Sequence, residues 1–413
     1  MNTLNPQKIV VSQSYIVVIG TFLSLVAMGM VIASFGVFFK PLSNEFGWTR
    51  GETSGAFSAA MVMSGLMAVI TGRMSDRFSP RLIITSCGAL GGCACLLLSQ
   101  MNAIWQLYLY FGLLIGCGMS IVIPATSLVA RTYKRRSGMM TGITQAGGSI
   151  GSVVAAPFIT TLIDYVGWRI SYTILGVVVL VIAFISLVLL RDPAKESRSI
   201  LHVDSSVESE TPQGIGTIIL KAVSSAPFWI LGIILFCTGF SQSMLSVHII
   251  PHATDIGISP ILAAGILSVM QGACAIGNFI SGRTNDIIGG RMSMILCLTV
   301  MVIAIAVLLI GGPVWVFYVV AFLVGIGIGG AVTLRSTIVA ELFGLRSHGA
   351  ITGAILSISS IGCAVGPLIA GYIFDISNQY QPTFVITMGI CVTGLAMACL
   401  LKFKYAVLNK EHL

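Results

Sequence analysis

A chain of 413 residues with 56% hydrophobic and only 9% charged residues is not a soluble globular protein, since such domains carry about 25% charged residues. Its mean hydropathy is +0.99, and apolar runs long enough to cross a hydrocarbon core of roughly 30 Å recur from end to end. The net charge of +8 therefore reports membrane topology and gives no reason to expect nucleic acid as a partner.

Turn residues and charges divide the chain into twelve expected helices. The first, 15–39, is too long for a signal-peptide core, and "FGVFFKPL" lacks a small-residue cleavage site, so it reads as a retained helix. Helices over 54–72, 82–101, 105–130, 139–164 and 170–190 follow. Residues 191–226, which include "RDPAKESRSILHVDSSVESETPQG", are too polar to bury and read as a flexible linker. The second set covers 227–250, 261–281, 292–311, 314–339, 349–374 and 383–402. The expected fold is an all-α polytopic membrane protein with twelve transmembrane helices in two pseudo-symmetric six-helix bundles. The expected domains are an N-terminal bundle (1–190), a cytoplasmic linker (191–226) and a C-terminal bundle (227–413).

Basic residues set the expected orientation. With the N-terminus in the cytoplasm, Lys40, Arg50 and Arg169 fall outside and Arg335 falls within a membrane segment, leaving the other eighteen of 22 Lys and Arg inside. This asymmetry is the positive-inside pattern. It predicts a multi-pass protein of a cell inner (plasma) membrane with both termini cytoplasmic. The ten cysteines lie in or beside apolar segments at spacings that suggest neither a metal site nor a disulfide framework.

The two halves repeat one another. "GRMSDRFSPR" (72–81) and "GRTNDIIGGR" (282–291) share Gly, Arg, Asp and a final Arg at an offset of 210, and "SGMMTG" (137–142) pairs with "HGAITG" (348–353). Asp164 matches Asp375 in the same way. Duplicated halves are the mark of transporters that rock one bundle against the other around a central site.

Gly72, Asp76, Arg77 and Arg81, with Gly282, Asp286 and Arg291 in the second half, resemble the gating-loop motif of the major facilitator superfamily. In that reading Asp76 and Arg77 pair across helix ends at the cytoplasmic face. Three stretches resemble the monocarboxylate and oxalate–formate porter branch: "FGVFFKPLSNEFGWTRGETS" (35–54), "TYKRRSGMMTGITQAGGSIG" (132–151) and "VHIIPHATDIGIS" (247–259). In the second, Gly138, Gly142, Gly147 and Gly151 are small residues that allow close helix approach. The resemblance implies the major facilitator fold, alternating access, a small-molecule anionic substrate and a monomer in the lipid bilayer. Three features depart from the branch. The N-terminal "NPQKIVVSQSY" replaces an acidic, Gly- and Trp-rich box, and the family's helix-1 lysine falls at Ala33. Its helix-8 aspartate and arginine fall at Cys274 and Asn278.

Arg335 is the one Lys, Arg, Asp or Glu well inside an expected helix, where a charge costs about 2.5–3.5 kcal/mol at the centre on insertion scales. It lies 21 residues from Val314, roughly 31 Å along the axis. At that depth it either snorkels to the cytoplasmic interface, towards Glu341, or serves as the anion's anchor in place of the arginine missing at Asn278. A guanidinium grips a carboxylate as a two-pronged fork, and the second reading is favoured. By depth, Asn278 and Gln145 lie level with Arg335, while Gln271 and Gln242 lie nearer mid-membrane, where amides orient a substrate or satisfy one another. His248 lies towards the outer end, as a site residue or a satisfied interfacial histidine, and His252 is expected in an external loop. Among groups in the membrane, His248 alone titrates near neutral pH, which makes it the expected relay if protons are the coupling ion.

The leading expectation is a secondary transporter of a small organic anion, a mono- or dicarboxylate, driven by proton cotransport or anion exchange. The alternative is a carrier of a larger or uncharged solute, such as a drug-like compound or siderophore, with Arg335 structural. A sensor on a transporter scaffold would need an appended signalling domain. The sequence offers no nucleotide-binding loop, metal constellation or nucleophile–base pair, so neither enzymatic activity nor a cofactor is expected.

Overall fold

The computed structural model describes residues 6–133, 137–190, 222–343 and 348–401. Most of the expected linker, 191–221, and the basic loop 134–136 lie outside the described residues, as do the side chains of Asp76 and Arg77. The described chain is helical: α1 (Pro6–Phe46), α2 (Arg50–Arg77), α3 (Pro80–Leu98), α4 (Ile104–Leu107), α5 (Gly116–Met119), α6 (Val122–Thr132), α7 (Ser137–Leu189), α8 (Ala226–Asp255), α9 (Pro260–Ile288), α10 (Gly290–Ile310), α11 (Val314–Phe343), α12 (His348–Ser377) and α13 (Gln381–Leu400). Among the described residues, eleven helical spans are long and apolar enough to cross a membrane.

The difference from twelve has a single cause. The two helices expected over 139–164 and 170–190 are run together in α7, whose 53 residues would extend about 80 Å at 1.5 Å per residue. That is more than two membrane thicknesses. The two arms meet at Gly167, where φ is +78° and ψ is 166°, a backbone conformation that a side chain disfavours. Two crossings joined at one glycine restore the expected twelve. The fourth expected helix, 105–130, is in turn segmented. Between α4 and α5 it winds as a π-helix over Tyr108–Ile115, and it breaks again before α6.

Contacts divide the described residues into two units: those up to Gly47 with those from Val62 to Leu190, and residues 48–61 with those from Ala222 onward. The helix α2 therefore begins in the second unit and ends in the first. Its start was placed too late by hydropathy, at residue 54. Thr49 and Glu52 form a reciprocal cap, with the Thr49 N–H donating to Glu52 Oε2 at 2.9 Å and the Glu52 N–H donating to Thr49 Oγ1 at 3.2 Å. Such a box satisfies amides that the first turn otherwise leaves unpaired.

Inside each unit the same seam recurs. In the first, a Cβ on Gly29 would fall inside the carbonyl of Gly148, and one on Gly151 inside that of Val26. In the second, a Cβ on Gly239 would sit 2.7 Å from the Ser359 carbonyl oxygen, and one on Gly362 would overlap that of Phe236. These residues correspond at offsets of 210 and 211, so α1 meets the first arm of α7 as α8 meets α12. Glycines let helix backbones approach this closely in a bilayer, where dispersion and short polar contacts replace the hydrophobic effect. In the first unit hydroxyls add to the packing of α1: Ser152 of the first arm of α7 donates to the Gly29 carbonyl at 3.1 Å, and Ser24 donates to Ser186 of the second arm at 2.9 Å.

Candidate substrate site

The residues of α11 that face α8 and α12 decide what lies in the second unit's interior. Ile328, Ala331, Val332 and Arg335 recur at helical spacing on one face of α11. With Leu235, Thr238, Gly239 and Gln242 of α8 and Ser359 of α12 they line a cavity of about 30 Å³. That is room for one or two water-sized groups. Arg335, Gln242, Thr238 and Ser359 supply its polar groups. Arg335 is partly buried and stands eight residues before the end of α11. Glu341, towards which a snorkelling Arg335 would reach, has its Oε2 3.1 Å from the point a Cβ on Gly290 would occupy.

Asn278 does not share this cavity. It accepts a hydrogen bond from Thr333 Oγ1 at 2.9 Å, on the opposite side of α11. That side is the seam with α9, where Gly325 and Gly329 run against the carbonyls of Met270 and Cys274. The two positions at which the porter branch carries its aspartate and arginine are thus packed into a helix–helix contact. Gln271, also on α9, is half-buried and outside the cavity lining. Gln145 is exposed and belongs to the first unit.

His248 is wholly buried and away from the cavity lining. Its Nε2 lies 3.0 Å from the Pro367 carbonyl oxygen and its Nδ1 3.0 Å from the Tyr380 hydroxyl. A carbonyl only accepts, so Nε2 carries the hydrogen. Arg50 Nη1 donates to the Tyr380 oxygen at 2.6 Å, which leaves the tyrosine's own hydrogen for Nδ1. Burial holds the Tyr380 hydroxyl above its ordinary range, so that hydrogen stays in place. These bonds fit a neutral imidazole whose Nε2 donates and whose Nδ1 accepts. His252 lies within α8, which runs five residues past its expected end. Its ring packs edge-on against Phe384 at 4.9 Å and Tyr380 at 5.4 Å, so it is not a loop residue.

The gating-motif residues occupy helix ends. Asp76 and Arg77 are the last residues but one and last of α2, Arg81 follows Pro80 at the start of α3, and Asp286 is exposed near the end of α9. Arg291, at the start of α10, donates to the Cys399 carbonyl in the last turn of α13, where a cation also offsets the helix dipole. Gly72 and Gly282 are not required by packing here: a Cβ on Gly282 would meet nothing within 4 Å, and one on Gly72 only Ile123, at 3.7 Å.

Residues missed by sequence reasoning are Thr238 and Ser359 in the cavity and Tyr380 beside His248. Hydroxyl residues are common in membrane helices, and no spacing singles these out. The Thr49–Glu52 cap, which starts α2 ahead of residue 54, was missed as well.

A duplicated set of membrane helices with a polar, cation-bearing cavity defines a membrane transporter rather than an enzyme, and comparison with known proteins agrees. Matches over residues 17–270 and 231–411 show that the chain belongs to the Major Facilitator Superfamily. Within it, the chain is similar to monocarboxylate transporter 13 of Rattus norvegicus, at 26% identity over 92% of this chain and 87% of that one. Monocarboxylate transporter 12 of Mus musculus is 24% identical over 90% and 82% of the two chains. An MFS-type transporter of Bacillus subtilis, YcxA, is 21% identical over 94% of each. Among solved structures, the nucleoside transporter NupG superposes with a TM-score of 0.74 at 14% identity, covering 95% of this chain and all of that one. A bacterial homolog of the human lysosomal transporter Spinster gives 0.71 at 16%, over 94% and 95%. At these identities the structures speak for the fold alone. The chain is a multi-pass transporter of the superfamily that resembles its monocarboxylate branch and acts on a small molecule.

Proposed function

We propose that the protein carries a small organic anion, a mono- or dicarboxylate, across a cell inner membrane by alternating access, with both termini cytoplasmic. The observation that carries this reading is the position of Arg335, whose side chain lines a polar cavity beside Gln242, Thr238 and Ser359. A guanidinium in a site of low dielectric binds a carboxylate by charge-assisted, two-pronged hydrogen bonds. The neighbouring amide and hydroxyls orient the rest of a small substrate. The named monocarboxylate-transporter relatives support the same substrate class.

Energetics constrains the coupling. Moving a monoanion inward against an inside-negative potential costs about 2.3 kcal/mol per 100 mV. Uptake then requires proton cotransport or anion exchange, whereas export does not. In this reading Asp76, Arg77, Arg81 and their second-half counterparts Asp286 and Arg291 hold the cytoplasmic helix ends, and Gly72 and Gly282 leave room for those ends to close.

The test is uptake of labelled carboxylates into proteoliposomes, with and without an inward proton gradient, by the wild type and Arg335→Gln. Carboxylate uptake by the wild type that the substitution abolishes, with protein insertion unchanged, is the expected result. Uptake of a neutral or larger solute that survives Arg335→Gln would transfer the assignment to the alternative carrier.

A further inference from the structure

Arg335 faces its cavity without a counter-charge. Among the described residues it has no ion pair and no hydrogen-bond partner. The residue keeps some accessible surface, but its guanidinium is surrounded by protein at full depth. The titratable group set against it is the Cys363 thiol of α12, and a thiol at its ordinary pKa is neutral near pH 7. A guanidinium does not give up its proton inside a protein, and a buried charge left uncompensated is costly. The cavity therefore favours an anion whether or not a substrate is present.

Size and lining narrow the choice of anion. The volume of about 30 Å³ matches the share of one water molecule in the liquid, about 30 Å³. A carboxylate can place its oxygens there but must leave its carbon body outside, whereas a monatomic anion such as chloride fits whole. Thr238 Oγ1 donates to the Leu235 carbonyl at 3.1 Å, and the Ser359 hydroxyl bonds with the Cys363 thiol. Arg335 and Gln242 are thus the lining side chains whose N–H groups remain for a ligand. No acidic residue lines the cavity among the described residues, and Leu235, Ile328, Ala331 and Val332 make the rest of its wall apolar. Low polarity around a single cation strengthens its hold on an anion.

We propose that the Arg335 cavity binds a small monovalent inorganic anion of chloride's size, which the substrate's anionic group must displace. The inference rests on the reading of this cavity as the substrate's anion site and adds a second ligand to it. Arg335 serves the two ligands differently, as a two-pronged fork for a carboxylate and as a point charge for a sphere. With a monovalent anion bound in either case, the carrier has the same charge after the substrate leaves as before.

Thermal melting of the full-length protein, with chloride replacing gluconate at constant ionic strength, tests the proposal. Gluconate is too large for the cavity and serves as the inert anion. The wild type is expected to gain stability saturably with chloride, as it would with any ligand of the native state, and Arg335→Gln to show no such gain. The variant also carries the general effect of replacing one salt by another, so the difference between the two proteins is the reading. Small carboxylates titrated in gluconate should bind more tightly than in chloride, with an apparent Kd that rises in proportion to chloride once the site is filled. Equal melting in the two salts, or a chloride response that survives in Arg335→Gln, would overturn the anion site. Carboxylate binding indifferent to chloride would overturn the competition. Chloride stabilisation confined to the wild type, with no carboxylate bound, would keep the anion site and remove the carboxylate assignment instead. Where Arg335→Gln does not insert, Gln242→Ala replaces it: a chloride midpoint about tenfold higher is expected from the loss of one hydrogen bond to a charged group, and an unchanged midpoint would overturn the site.

Discussion

The Thr333 hydroxyl donates to Asn278 Oδ1 at 2.9 Å, and that bond separates Asn278 from Arg335. Thr333 and Arg335 are two residues apart on α11, so at 3.6 residues per turn they point about 200° apart. One faces the seam with α9 and the other the cavity. Asn278→Ala should therefore cost about 1 kcal/mol of stability, the worth of one hydrogen bond, and leave substrate affinity unchanged. Gln242→Ala should weaken substrate binding about tenfold or more, since a hydrogen bond to a charged group contributes about 1.5–3 kcal/mol. Equilibrium binding and melting of the two variants distinguish these effects.

The glycine seams make a second, purely steric prediction. A Cβ on Gly329 would overlap the Cys274 carbonyl, while one on Gly142 would meet nothing within 4 Å. Gly329→Ala should force α9 and α11 apart at a cost of about 1–3 kcal/mol or more. Gly142→Ala should be neutral or slightly stabilising. Thermal melting of both in the same detergent measures the contrast.

His248 has both ring nitrogens committed, to Tyr380 and to Pro367, outside the cavity that Arg335 lines. His248→Gln should lower stability by about 1–3 kcal/mol, because it leaves buried partners unsatisfied. It should keep whatever pH dependence accumulation shows. Abolition of pH-driven accumulation by this substitution would instead assign His248 the relay role suggested by its reference pKa.

Among the described residues a Cβ on Gly282 would meet nothing within 4 Å and one on Gly72 only Ile123, at ordinary contact distance, so none of them demands a glycine at either position. Alanine at either position should leave the melting temperature unchanged or raise it, glycine being the poorer helix former by about 1 kcal/mol. If the helix ends close during the cycle, the same substitutions should slow turnover without changing substrate affinity. Initial rates set against equilibrium binding measure this.

Much of the fold was legible because its determinants are one-dimensional. Hydropathy gives the spans, the offset of 210 gives the duplication, and small residues such as Gly147 and Gly151 mark the seam of α1 with α7. What was not legible depends on rotation and on capping. Counting residues along a helix gives depth but not azimuth, so Asn278 and Arg335 were placed level without a sign that they face different ways. Hydropathy cannot see a helix end fixed by polar bonds, which is why Arg50 and His252 were assigned to loops while α2 and α8 reach past them. The break in α7 at Gly167, by contrast, falls between the helices expected over 139–164 and 170–190.

The most direct measurement is a thermal-shift series of the purified protein against small carboxylates, aromatic acids, phosphonates and neutral analogues, with wild type and Arg335→Gln side by side. A ligand that binds the native state raises its melting temperature in proportion to occupancy. The account predicts stabilisation of the wild type by small carboxylates and its loss in Arg335→Gln. Equal shifts in both proteins, or shifts with neutral compounds alone, would contradict it.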